Sequence, residues 1–384
     1  MIDKISCPLK NKCGNCQLLN LKYQDTLSYK LDYVNSLFKK AKITTTINEI
    51  IPANHNTKYR NKMIIGFKKI NGKIISGFYE ENSHKIVDLD NCILHSEEQN
   101  NIATGLKKII EKLRLLPYDE DRKIGLIRYA LIKEAINTNE ILITIVTASE
   151  NFPARNDFVK MVRNLSPKIK TIIQNINSRK TSIVLGEKER VLYGPGFINE
   201  TLLGLKFQIT SKSFFQVNPL QTVKLYQTVE QFASFSKDDV IIDAYSGIGT
   251  IGLYLSKHVK QVISVENNKQ AVSAAIKNAK NNNINNVSFF CDDATNFIVE
   301  FAKEKPLIDV LIMDPPRTGS TVQFLDSVCK LKPKQVIYVS CGPDTLVRDL
   351  PQLLKNGYQI KNIKCVDMFC WTNHVETVVC LMRK

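Results

Sequence analysis

No apolar run in this 384-residue chain approaches the roughly 18 residues that a membrane span needs. The opening Met1-Ile2-Asp3-Lys4 reaches Cys7 with no apolar signal core. No internal repeat and no low-complexity linker is visible, so neither a repeat array nor a disordered tether is expected. These absences set aside membrane-embedded and secreted classes. A cytoplasmic, monomeric protein without a membrane partner is expected. What is present is a hydrophobic fraction of 43%, enough for a sizeable core, in a chain long enough for two or three domains.

Acidic side chains are in short supply: 37 Asp and Glu stand against 53 Lys and Arg, a formal net charge of +16. The excess is spread, with 15 basic and 10 acidic residues over 1–100, 18 and 11 over 101–210, and 20 and 16 over 211–384. A spread basic surface suits a polyanion such as RNA. It also suits plain solubility, so motifs must decide. Ten cysteines in a cytoplasmic chain are poor disulfide candidates and better metal ligands or catalytic groups.

Up to residue 205 the pattern is mixed. Leu27, Leu31, Val34, Leu37 and Phe38 recur at helical spacing within 21–42. From Met63 to Val87 the pattern is that of strands, with Asn71-Gly72 as a hairpin signal. Helices are expected around Ile102–Leu116 and Phe158–Leu165, and strands near Glu140–Ala148, Thr171–Ile176 and Thr181–Leu185. After Leu205 strands and helices alternate, with strand ends near Asp243, Glu266, Cys291, Asp314 and Ser340. That rhythm predicts a doubly wound α/β sheet with its ligand crevice at the carboxyl ends of the strands. The expected division is 1–95, a cysteine-bearing strap and β-rich segment; 96–205, a central α+β domain; and 206–384, a Rossmann-like α/β domain.

The first of these strand ends reads Asp243-Ala244-Tyr245-Ser246-Gly247-Ile248-Gly249, where glycines let the backbone approach a ligand. Glu266 ends the next strand, where a carboxylate can accept hydrogen bonds from both ribose hydroxyls of an adenosine. Gly247 to Gly252 also match the dinucleotide fingerprint, which leaves a nicotinamide-dependent dehydrogenase open. Asp243 argues the other way: it would repel a pyrophosphate but suits the cationic end of S-adenosylmethionine.

Two later strand ends carry chemistry. Asp314-Pro315-Pro316-Arg317 is a stiff turn that fixes its first carboxylate. Similar turns in amine methyltransferases place an aromatic residue where Arg317 stands. Ser340-Cys341-Gly342-Pro343 opens a cysteine over the crevice, a position for a nucleophile. Arg317 and Arg348 are the cations expected to favour its thiolate. Carbon 5 of uracil needs such a thiolate on carbon 6 before it can attack a methyl group, and a base must then remove the carbon-5 proton. Glu376 in His374-Val375-Glu376-Thr377 is the acidic candidate.

As an ordered set these motifs, with Phe214-Phe215-Gln216-Val217-Asn218-Pro219, resemble the RNA uridine-5-methyltransferase family, bacterial 23S rRNA branch. The resemblance covers nearly the whole chain. It implies an S-adenosylmethionine-dependent enzyme acting on a uridine in an RNA loop, with Cys341 as nucleophile and Glu376 as base. It assigns Gln216, Tyr245, Glu266 and Asp314 to the cofactor. Cys7, Cys13, Cys16 and Cys92 are similar to the set that holds a four-iron four-sulfur cluster in that branch. Their spacing alone leaves zinc equally open. A transfer-RNA enzyme of the same family and a non-catalytic RNA-binding protein are the remaining alternatives. Many relatives carry a small β-barrel RNA-binding domain before the cysteines. Cys7 leaves no room for one in this sequence, so RNA affinity is expected to rest on the cluster region, the central domain and the basic surface.

Overall fold

The computed structural model describes residues 2–80, 83, 85–179 and 183–384. The N-terminal part holds a short helix α1 (Lys10–Cys13), helix α2 (Tyr23–Lys40) and strand β1 (Ile50–Ile51). The helical period predicted for α2 is realised: Leu27, Val34 and Phe38 are buried on one face.

The next sheet contains β2 (Lys62–Ile70), β3 (Lys73–Tyr79), β4 (Ile86–Asp88), β5 (Ile127–Ala135), β6 (Glu140–Thr147), β7 (Ile169–Ile176) and β8 (Lys188–Tyr193). Their order is β4-β3-β2-β5-β6-β7-β8. Asn71 and Gly72 turn β2 into β3 with φ of 50° and 81°, the paired left-handed residues of a tight hairpin. Helix α3 (Glu97–Lys112) and helix α4 (Arg155–Arg163) cover one face of this sheet, with Met63, Leu106, Ile143 and Phe158 in the shared core. The sheet draws strands from both sides of residue 95. Of the strand expected over 181–185, Thr181 and Ser182 lie outside the described residues. Ile183 to Leu185 are irregular, and the strand forms at Lys188–Tyr193 instead.

A hairpin of β9 (Ile198–Leu202) and β10 (Leu205–Ile209) leads through helix α5 (Pro219–Phe232) into the alternating part. There follow β11 (Val240–Ala244), α6 (Thr250–Leu255), β12 (Gln261–Glu266), α7 (Lys269–Asn281), β13 (Val287–Cys291) and α8 (Ala294–Phe301). The chain ends with β14 (Val310–Met313), α9 (Val322–Leu331), β15 (Gln335–Ser340), α10 (Pro343–Lys355), β16 (Tyr358–Val366) and β17 (Glu376–Arg383).

β14 and β15 are buried at every position, as strands covered on both faces must be. Alternate residues point to opposite cores: Ile241, Ile312 and Ile337 pack with α5 and α6, while Ile242, Leu311 and Val336 pack with α2, α9 and α10. The sheet order is β1-β16-β17-β15-β14-β11-β12-β13. β15-β14-β11-β12-β13 run parallel, and β17 runs antiparallel to both β15 and β16. The expected Rossmann-like α/β sheet is therefore present, and β1, from the N-terminal part, pairs parallel with β16 at its edge. Strand order reverses at β11, between β12 and β14, so the crevice opens beyond the carboxyl ends of those strands.

Helix α3 starts with a capping box. Ser96 Oγ accepts from Gln99 N at 3.0 Å, Gln99 Oε1 accepts from Ser96 N at 3.3 Å, and the Ser96 hydroxyl donates to Glu134 at 2.5 Å. Ser96→Ala removes the cap and leaves the half-buried Glu134 without that donor. The variant should lose about 1–2 kcal/mol, read as a lower denaturant midpoint at unchanged slope. An unchanged midpoint would show that the cap contributes nothing here.

Candidate active site

The loop after β11 turns through Tyr245, Gly247 and Gly249, with φ of 63°, 56° and 82°, and delivers the chain into α6. Glu266, at the end of β12, stands against that loop: its Oε2 accepts from Gly247 N at 3.0 Å and its Oε1 from Asn268 N at 2.8 Å. Each oxygen keeps a lone pair for a ligand hydroxyl. Asp243 has a different place from the one expected. It is buried beneath the loop, its Oδ2 accepts from Gly252 N at 2.8 Å, and it does not line the crevice. A side chain on Gly252 would meet that carboxylate at 2.7 Å, so the third glycine of the fingerprint serves packing.

The crevice is a cavity of about 670 Å³, a size that suits a small ligand. Gln216, Tyr245, Glu266, Asp314, Cys341 and Glu376, the six residues singled out in the sequence, all line it. Gln216 and Val217 are held from the central sheet, since Asn61 Nδ2 donates to the Gln216 carbonyl at 3.1 Å and Asn61 N to that of Val217 at 2.9 Å. Tyr245 packs its ring 5.5 Å from that of Phe324 and shares a hydrogen bond with Ser320 at 3.1 Å. Asp314 follows β14 directly, with its backbone N near the Ala244 carbonyl at 3.4 Å.

Cys341 and Glu376 are far apart in sequence and adjacent in the sheet. The antiparallel register of β15 with β17 sets Ser340 opposite Thr377, so the residue after the one strand meets the residue that opens the other. Cys341 is half-buried and immediately precedes the first turn of α10. Burial pushes its thiol up to about 12, Glu376 and Asp314 push the same way, and Arg317 opposes them. Burial likewise lifts the Glu376 carboxyl to about 8, with Asp314 adding and Arg317 opposing. Burial raises Asp314 to about 7. Glu376 Oε2 is buried without a hydrogen-bond partner. Arg348, expected beside the nucleophile, is instead engaged elsewhere: its guanidinium binds Asp349 at 2.7 Å and the Thr318 and Ser320 carbonyls at 3.0 Å each.

The sequence reading passed over Asp293 and Phe369, which also line the cavity. Asp293 follows the end of β13 and caps α8. The strand-end rule applied to every strand would have reached it, whereas Phe369 sits in a loop with no periodic signal. Of the two adjacent phenylalanines, Phe215 is buried against Phe207, with ring centroids 6.2 Å apart, and Phe214 is 61% exposed at the cavity.

The four N-terminal cysteines are free thiols in one neighbourhood. Cys7 and Cys16 pack against the cluster that contains the buried Cys92. Burial raises the Cys16 thiol to about 12, with Cys92, Cys13 and Cys7 adding and Arg60 opposing. Burial raises Cys92 to about 11, with Cys13 among the groups adding to it. The buried Nε of Arg60 has no hydrogen-bond partner. Among the described residues, no group of three or more His, Cys, Asp or Glu side chains is arranged to hold a metal ion.

Comparison with known proteins agrees with this geometry. The profile of the tRNA (uracil-5-)-methyltransferase family matches residues 22–384. A Halalkalibacterium halodurans protein described as an uncharacterized RNA methyltransferase is 37% identical over 380 residues, 98% of this chain and 83% of its own length. A Clostridium acetobutylicum protein described the same way is 38% identical over 381 residues, 98% and 83% of the two chains. The crystal structure of Pyrococcus abyssi tRNA (uracil-54, C5)-methyltransferase with S-adenosyl-L-homocysteine superposes with a TM-score of 0.80 at 28% identity, covering 98% of this chain and 86% of that one. The chain belongs to the RNA (uracil-5-)-methyltransferase family of S-adenosylmethionine-dependent RNA methyltransferases.

Proposed function

We propose that this enzyme methylates carbon 5 of a uridine in 23S rRNA, with Cys341 as nucleophile and Glu376 as base. The observation that carries the mechanism is the β15–β17 register, which sets a thiol beside a carboxyl whose buried Oε2 has no hydrogen-bond partner, both in one cavity. The Cys341 thiolate adds to carbon 6, breaks the 5,6 double bond and leaves an enolate whose carbon 5 is nucleophilic. Bound S-adenosylmethionine supplies the methyl group to that carbon. Glu376 takes the carbon-5 proton as the carbon–sulfur bond breaks, which restores the double bond and releases the thiolate.

The residues present fit such a cofactor. Glu266, Asp293, Asp314 and Glu376 face the cavity, and Arg317 is the one cation among the described residues that line it, so a sulfonium meets complementary charge. Gln216, Tyr245, Glu266 and Asp314 would hold it, with Glu266 offering its remaining lone pairs to the ribose. The target base must leave its stack to reach Cys341, and a loop uridine does so at least cost. Phe214, exposed at the cavity, is the stacking surface for it, and Arg317 is the nearby cation.

Cys7, Cys13, Cys16 and Cys92 would hold a four-iron four-sulfur cluster. Four thiolates around one inorganic core carry negative charge, and the partnerless Arg60 Nε beside Cys16 and Cys92 suits that charge. A cubane spreads its thiolates wider than a single ion does. Transfer RNA is the second reading of the substrate, favoured by the Pyrococcus abyssi neighbour, whose name places its target in tRNA.

Wild-type enzyme with cofactor and 5-fluorouridine RNA should form a covalent adduct that survives denaturing gels, because fluorine does not leave as a proton. Cys341→Ala should form none while binding cofactor normally, and Glu376→Gln should accumulate methylated adduct on ordinary uridine RNA. A wild-type protein that binds cofactor and RNA without an adduct would exclude the thiolate mechanism.

Mass mapping of 5-methyluridine in RNA from cells with and without the gene should show a position lost from 23S rRNA. Loss confined to transfer RNA would establish the second reading.

Anaerobically purified protein should be brown and contain about four irons per chain. A colourless protein with one zinc would reverse the cluster assignment.

A further inference from the structure

The loop between β16 and β17 brings Phe369 to the cavity and ends at Glu376. Residues from the first part of the chain hold it. Asp367 accepts from Lys30 Nζ at 2.6 Å and from the Tyr23 hydroxyl at 2.7 Å, and both side chains of the ion pair are fully buried. Lys30 Nζ also donates to the Phe369 carbonyl at 2.9 Å. The Tyr23 hydroxyl in turn accepts from Ala53 N at 2.9 Å. Further along, Leu18 N donates to the Trp371 carbonyl at 3.0 Å, the Tyr59 hydroxyl to that of Cys370 at 3.0 Å, and Trp371 Nε1 to that of Asn56 at 2.7 Å. Trp371 itself has φ of 67°, a conformation that a bulky residue holds only where its surroundings over-determine it.

A buried ion pair is a weak source of stability, because desolvation offsets the attraction. Nor is this pair needed to attach α2 to the domain: Val34 and Phe38 already bury it against the sheet, and β1 pairs with β16. What the pair adds is direction. One ammonium ties the first residue of the loop and the carbonyl of its cavity-lining phenylalanine to the same point on α2.

We infer that Lys30 and Asp367 are positioning residues for methyl transfer: they fix the 367–375 loop so that Phe369 and Glu376 face the target base. This rests on the proposed uridine chemistry at Cys341. The test compares wild type with the double variant K30M/D367N. It removes both buried charges together, which avoids stranding one, and keeps an acceptor for Tyr23.

The double variant should fold and bind cofactor with unchanged affinity. Its rate of adduct formation on 5-fluorouridine RNA should fall about ten-fold or more, since small misplacements of reacting groups have effects of that size. Its kcat on ordinary RNA should fall alongside, while amide exchange quickens over 367–376 and not in β11 or β14. A wild-type adduct rate in the folded double variant would overturn the inference and leave the pair merely structural. Absence of an adduct in wild type would instead overturn the Cys341 assignment. Should K30M/D367N not fold, K30Q takes its place: it keeps a hydrogen-bond donor but loses the charge and the reach. K30Q should show the same fall in adduct rate, and a wild-type rate in it would equally overturn the inference.

Discussion

The candidate active site depends on one antiparallel strand at the side of a parallel sheet. β17 lies between β15 and β16 and runs against both. In a parallel pair, the carboxyl ends of both strands lie at the same edge, and each contributes the residue that follows it. An antiparallel neighbour brings its first residue to that edge instead. Glu376 opens β17 and therefore meets Cys341, which follows β15. The register is locked by burial: Val378, Val379, Cys380 and Leu381 are all buried, so a slip of one residue would send each side chain into the wrong core. Two hydrophobic clusters thereby hold Cys341 and Glu376 side by side.

The same burial has an electrostatic cost, which Arg317 offsets in part. Asp314, Glu376 and Cys341 each lose solvation; Asp314 also raises the proton affinity of Glu376 and Cys341, and Glu376 that of Cys341. Carboxyls whose folded affinity for protons exceeds their unfolded one favour the fold at low pH and disfavour it as pH rises towards 7 to 8. Raised proton affinities clustered in one cavity are common where groups are arranged for reaction rather than for stability. A raised carboxyl is also the more effective proton acceptor once it is ionised, so the burial that strains Glu376 is consistent with the proposed role of base.

How much of this was legible depended on whether the signal was local. Asn71-Gly72 is a turn by its own chemistry, and the helical stripe of α2 needs no partner to be seen. The strand ends after residue 240 were readable because each apolar run stops at a residue with chemistry. Tyr245, Glu266, Asp314 and Cys341 stand at such ends, Gln216 and Glu376 were reached through the ordered motif set, and all six line one cavity. What escaped was non-local. β5 is buried on nearly every residue and so shows no alternation. Asp243 looked like a ligand because its strand end is one, yet its carboxylate is used under the loop by Gly252 N. Arg348 is near Cys341 in sequence but is captured by Asp349. Neither Phe369 nor the partnership of β1 with β16 leaves any trace in local pattern.

That last class of contact ties the N-terminal segment to the sheet that carries the cavity. Lys30 and Asp367 stand 337 residues apart, and Ile50 and Ile51 pair with Cys365 and Val366 at the sheet edge. Contacts of such separation carry a loop-closure cost, because the chain between must be closed before they repay anything. In the native state Val34 and Phe38 of α2 are buried in one cluster with Leu311 of β14 and Val336 of β15, and Lys30 pairs with Asp367. The loop that carries Phe369 and leads to Glu376 is thus held by residues far upstream in the sequence, so one wall of the cavity depends on the N-terminal segment.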